Sequence, residues 1–120
     1  MSRLERINQH LKREISGIIH RELGDPRLEF ISITNVDISP DLRYAKVYFS
    51  VFGKTASAEK VKEVLNKASG LIRKIVGKSI TMRYTPSLHF EIDDTIAFHV
   101  RLEETLKDIK EEHENDHPDV

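Results

Sequence analysis

The sequence predicts an α+β domain in which helices cover one face of a three-stranded sheet. Two short runs of alternating apolar and polar residues flank a turn, and a third such run lies much later in the chain. The segments before and between them carry apolar residues at helical spacing. With 120 residues, 38% hydrophobic and 32% charged, the chain suits one small domain with a highly charged surface.

Ser2-Arg3-Leu4-Glu5 has the spacing of a capping box and starts the first helix. Leu4, Ile7, Leu11, Ile15, Ile18 and Ile19 form its apolar stripe. At ~100° per residue, Arg3, Arg6, His10 and Arg13 fall on another face. Gly24 stops the helix, and Asp25-Pro26 reinforces the stop. Ile31 and Ile33 alternate, then Val36 and Ile38 alternate in a shifted register, so a bulge is expected near Thr34-Asn35. Ser39-Pro40-Asp41 is turn chemistry. In the second strand Ala45, Val47, Phe49 and Val51 should face the core, and Tyr44, Lys46, Tyr48 and Ser50 the other side.

Residues from about Ala58 to Val76 read as helical, with Val61, Val64, Leu65, Ala68, Ile72, Ile75 and Val76 inward. Gly70 in their middle is disfavoured by ~1 kcal/mol relative to alanine, so a kink between two helices is expected there. After Pro86, Leu88, Phe90 and Ile92 alternate inward as a third strand. Asp94 or Thr95 would cap a last helix carrying Ile96, Val100, Leu106 and Ile109. Residues 1–110 are read as the domain, and 111–120, rich in Glu, Asp and His, as an acidic and disordered tail. Helix, strand, strand, helix, kink, helix, strand is the order of the type II KH fold, which serves single-stranded nucleic acid.

The net charge of −1 hides an asymmetry. Residues 1–90 carry 16 Lys and Arg against 9 Asp and Glu, whereas residues 91–120 carry 3 against 11. A basic body with an acidic end suits a partner of nucleic acid, though a merely solvated surface has the same composition. The absence of cysteine excludes disulfides and thiolate metal sites. No apolar run approaches the ~18 residues of a membrane helix, and Met1-Ser2-Arg3-Leu4-Glu5-Arg6 leads into charged sequence, so a soluble, cytoplasmic protein is expected.

His113-Glu114-Asn115-Asp116-His117 matches the zinc-protease motif H-E-x-x-H. In an acidic tail beside Pro118, with no third ligand evident, it reads as adventitious metal binding. Adjacent Asp93 and Asp94 would point to opposite sides of a strand, and His89 has no evident nucleophile or base partner. The glycines are too scattered for a nucleotide loop. No catalytic site, metal, cofactor or small-molecule substrate is therefore expected. The KH signature G-x-x-G is also absent, and Ala68-Ser69-Gly70 stands between the two middle helices. That triplet either admits a phosphate at a helix N-terminus or serves a close helix crossing. Lys60, Lys67, Lys74 and Lys78 on roughly one face, with Arg73 and Arg83 nearby, favour the phosphate reading. Tyr44, Tyr48 and Tyr84 could stack on bases or simply pack.

Five segments then carry a specific resemblance. Glu22-Leu23-Gly24-Asp25-Pro26-Arg27-Leu28, Ser39-Pro40-Asp41-Leu42-Arg43-Tyr44-Ala45-Lys46-Val47-Tyr48 and Ala68-Ser69-Gly70-Leu71-Ile72-Arg73 resemble stretches of the bacterial ribosome-binding factor A family. Arg83-Tyr84-Thr85-Pro86-Ser87-Leu88-His89-Phe90 and Asp93-Asp94-Thr95-Ile96 follow in the same order. The resemblance spans about residues 3–106. It implies a KH-like domain whose A-x-G kink replaces G-x-x-G. It also implies a non-catalytic monomer that binds the immature small (30S) subunit and its 16S rRNA and supports late rRNA maturation, including in the cold. The contact surface is expected at Lys67, Ala68, Ser69, Gly70, Arg73, Lys74, Lys78 and Arg83, with Arg3, Arg6 and Arg13 as a second patch. The alternative is a KH-like module that binds ribosomal proteins through its sheet without touching RNA.

Overall fold

The computed structural model describes residues 1–52 and 57–93. Helix α1 runs Arg3–Arg21, strand β1 Ile31–Ile38, β2 Tyr44–Val51, α2 Ala58–Lys67, α3 Ser69–Ser79 and β3 Ser87–Ile92. Ser2 caps α1 by accepting the Glu5 amide at 3.1 Å. Past the helix, Gly24 takes φ +57°, a backbone state that side chains with a Cβ resist. A single 3₁₀ turn at Pro26–Leu28, not foreseen from the sequence, follows it. Asp25 builds that turn by accepting from the Arg27 amide at 2.9 Å and pairing with the Arg27 guanidinium at 2.8 Å.

The strands form one sheet in the order β1-β2-β3. β1 and β2 are antiparallel and β2 and β3 parallel. The register slips between Ile33 and Asn35, which is the expected bulge, with Thr34 as the extra residue. Thr34 directs its hydroxyl to Asp93 at 2.6 Å. One face of the sheet is apolar: Val36, Val47 and Phe90 form one cross-strand row and Ile38, Ala45 and Leu88 the next. This face packs against Leu11, Ile15, Ile18 and Ile19 of α1, Val61 and Leu65 of α2, and Ile72 and Val76 of α3 in one core.

Val51 packs against the core from a half-buried position, as expected, whereas Ser50, expected on the other side, is only 8% exposed; both remain paired to β1 beyond the last β2–β3 pair. The break between the middle helices falls within the expected Ala68-Ser69-Gly70 kink, at Ala68 rather than at Gly70 itself. Ala68 has φ −86° and ψ −2°, whereas Gly70 lies inside the first turn of α3 without positive φ. The hydroxyl of Ser69 donates to the carbonyl of Asn66 at 2.8 Å across this break. The expected last helix and acidic tail, including His113-Glu114-Asn115-Asp116-His117, lie outside the described residues.

Candidate nucleic-acid interface

Asn66, at the end of α2, sets where the break falls. Its Oδ1 accepts from the Phe90 amide at 2.9 Å and its Nδ2 donates to the Phe90 carbonyl at 3.2 Å. The side-chain amide thus takes the place of a further strand along β3 and pins the helix end there. Helix α3 starts after this break with no side chain capping its N-terminus.

Of the triplet, only Gly70 opens outward. Among the described residues nothing lies within 4 Å of where its Cβ would stand, so no helix crossing among them requires glycine there. Ala68 is half-buried against the core, and Ser69 spends its hydroxyl on the Asn66 carbonyl. Gly77, two turns further along α3, differs: a Cβ would stand 2.9 Å from Oγ1 of Thr85, so glycine lets the Thr85 segment approach α3.

That approach gathers the cations. Arg73 donates to the Thr85 carbonyl through Nε at 3.1 Å and Nη2 at 2.9 Å. The two bonds hold the guanidinium at the surface in a fixed plane. Gly70, Arg73, Lys74, Arg83 and Tyr84 line one shallow depression. Arg83 lies 5.4 Å from the Tyr84 ring centroid, a cation–π distance. A second depression, lined by Arg43, Tyr44, Arg73 and Tyr84, adjoins it toward the end of β2. Tyr44 and Tyr84 are each 64% exposed, so neither serves the core.

The remaining expected residues separate. Lys67 is exposed but paired with Glu63 at 3.0 Å, and the neighbouring ammonium holds the Glu63 carboxyl below its ordinary range. Lys78 is exposed on α3 but lines neither depression. Arg3 lines a larger cleft that also includes Arg83 and Tyr84, which links α1 to the kink surface. Arg6 and Arg13 are exposed on α1 and do not line that cleft. Arg43 and Asn66 escaped the sequence reading. The signal for Arg43 was present: both exposed tyrosines directly follow an arginine, as Arg43-Tyr44 and Arg83-Tyr84. Among the described residues, no three His, Asp or Glu side chains gather as a metal site requires. No described helix is long and apolar enough to cross a membrane.

The family model described as ribosome-binding factor A matches residues 3–106. The chain belongs to that family. A ribosome-binding factor A of Halothermothrix orenii is 46% identical over 114 residues, covering 95% of this chain and 93% of the relative. The crystal structure of ribosome-binding factor A from Thermus thermophilus superposes with a TM-score of 0.69 at 25% identity, covering 76% of this chain and 97% of that one. A further ribosome-binding factor A structure is a Thermus thermophilus homology model fitted into the electron cryo-microscopy map of a 30S complex. It superposes with a TM-score of 0.61 at 27% identity, over 77% of this chain and 93% of that one.

Proposed function

We propose that this chain is a non-catalytic assembly factor. It binds the immature small ribosomal subunit, contacts 16S rRNA through the kink surface and supports late rRNA maturation, including in the cold. It acts as a cytoplasmic monomer. The observation that carries the RNA contact is the bare backbone at Gly70 beside Arg73, Lys74 and Arg83 in one depression. Phosphate can approach an uncapped helix start there, and the neighbouring cations neutralise it. Membership of a ribosome-binding family and likeness to a relative fitted in a 30S map support the partner.

A protein-binding module that uses its sheet would present a different surface. On the open face, the exposed Asp37, Lys46 and His89 stand in one cross-strand row, so charge of both signs meets any partner there. That row suits phosphate less well than the kink does.

The test is sedimentation of the protein with immature small subunits across a salt series. Binding is expected to weaken steeply with salt, and the double variant Arg73→Glu, Lys74→Glu to lose at least about tenfold in affinity, as phosphate contacts would. Binding indifferent to both salt and charge reversal would refute the RNA reading of this surface.

A further inference from the structure

A second concavity lies away from the kink, beside α1. It is a cleft of about 560 Å³ between the N-terminal half of α1, the turn before β2 and the segment leading to β3. Ile7, Leu42, Ile80 and Met82 make its apolar lining, and each packs partly against the core. Arg3, His10, Asp41, Arg83 and Tyr84 are its polar lining. We propose that this cleft receives a single unstacked nucleobase of the RNA strand whose backbone crosses the kink surface. The inference rests on the RNA reading above and extends it from phosphates to a base.

Three observations carry it. Leu42 adopts φ +64°, the only positive φ outside glycine among the described residues. Glycine or asparagine would sit there without strain, so a leucine held there points to a use for its side chain, which forms part of the cleft wall. The strain is imposed by the turn: Asp41 Oδ1 accepts from the Ser39 hydroxyl at 2.6 Å and the Arg43 amide at 3.1 Å, while Leu42 donates its amide to the Ser39 carbonyl at 2.8 Å.

The charge around the cleft also fits a nucleotide. Arg3 and Arg83 outnumber the one carboxylate, Asp41, so a phosphate is favoured at the mouth while the apolar interior favours a flat base. Asp41 offers an acceptor to an amino or ring N–H on the base edge. An aliphatic side chain from a protein partner would use the apolar lining and leave two arginines without a role.

Continuity is the third observation. Arg83 and Tyr84 line both this cleft and the depression of Gly70, Arg73 and Lys74. A strand held by its phosphates at the kink therefore reaches the cleft along Tyr84, whose exposed ring provides a stacking step between the two.

The chain has two methionines, Met1 and Met82, so methionine-methyl NMR of the full chain reads the cleft through one resolved signal. The probe is a single-stranded RNA of roughly eight nucleotides, within the site size of small single-strand binders. Binding is followed by anisotropy in the same titration, with inorganic polyphosphate as the control for charge alone. RNA is expected to shift the Met82 methyl by ring current, and polyphosphate to leave it in place. Leu42→Gly, which relieves the backbone strain and removes part of the wall, is expected to weaken RNA binding by about tenfold as apolar contact with the base is lost. Its melting curve verifies folding. RNA that binds without moving Met82 would overturn the cleft while sparing the kink reading. RNA that does not bind at all would overturn both. A Met82 shift caused by extracted small-subunit proteins and not by RNA would assign the cleft to a protein side chain and overturn the proposal.

Discussion

Two side chains at the α2–α3 break have opposite roles, and their substitutions separate folding from binding. Asn66 satisfies both main-chain groups of Phe90 from a half-buried position. Asn66→Ala leaves a donor and an acceptor without partners, at about 1–3 kcal/mol each where water cannot replace them. The expected outcome is a clear drop in melting temperature, measured by circular dichroism. Gly70 is the reverse case. It is exposed and helical with open space around it, so Gly70→Val should leave the melting temperature near that of the parent. The branched side chain would stand where a phosphate must approach. Affinity for small subunits should then fall by about tenfold, or ~1.4 kcal/mol. A variant that binds as tightly as the parent would show that the bare backbone at Gly70 is not used.

At the scale of elements, α2 is tied to β3 twice, through Asn66 and through an ion pair. Lys62 lies 3.2 Å from Glu91, and His89 lies 2.8 Å from the other oxygen of that carboxylate. The hydrogen bond from Lys62, opposed by burial and helped by that to His89, lowers the Glu91 carboxyl below its ordinary value of 4.5. A carboxylate whose pKa is lower folded than unfolded stabilises the fold above its unfolded pKa, and that stabilisation is lost as pH falls through the folded value. Both partners are about one-third exposed, so the pair contributes no more than about 1 kcal/mol. Glu91→Gln should therefore melt slightly earlier than the parent at pH 7, with the gap closing below pH 4.5. Melting curves at a series of pH values check this. A gap that widens in acid would mean that Glu91 is not held by Lys62.

For the molecule as a whole, charge distribution governs encounter with RNA. Residues 111–120 carry five carboxylates and no Lys or Arg, so removing them takes the formal net charge from −1 to +4. Long-range attraction for RNA should rise at low salt, raising the association rate a few-fold. The gain should shrink at physiological salt, where screening acts over ~8 Å. Stopped-flow binding of a labelled RNA at two salt concentrations measures it. We also expect the truncation to leave the melting temperature nearly unchanged, since these residues offer almost no apolar side chains to bury. A large drop would contradict the proposed division into a domain of residues 1–110 and a separate tail.

The sequence alone determined what depends on local rules. Ser2 and Glu5 placed the start of α1, and the shifted alternation of Ile31, Ile33, Val36 and Ile38 exposed the bulge at Thr34. Motif order alone points to the family, because five short strings in sequence need no geometry. What remained hidden depends on contacts distant along the chain. The break fell at Ala68 because Asn66 binds Phe90, 24 residues away, whereas helix propensity pointed to Gly70. Of the eight cations weighed as contacts, Arg73, Lys74 and Arg83 came together at one depression because Gly77 admits Thr85, whose carbonyl fixes Arg73. Arg3 joined Arg83 and Tyr84 at the cleft because α1 packs beside α3 and the segment that follows it. Periodicity assigns a side chain to a face of its own element, but only packing decides which faces meet.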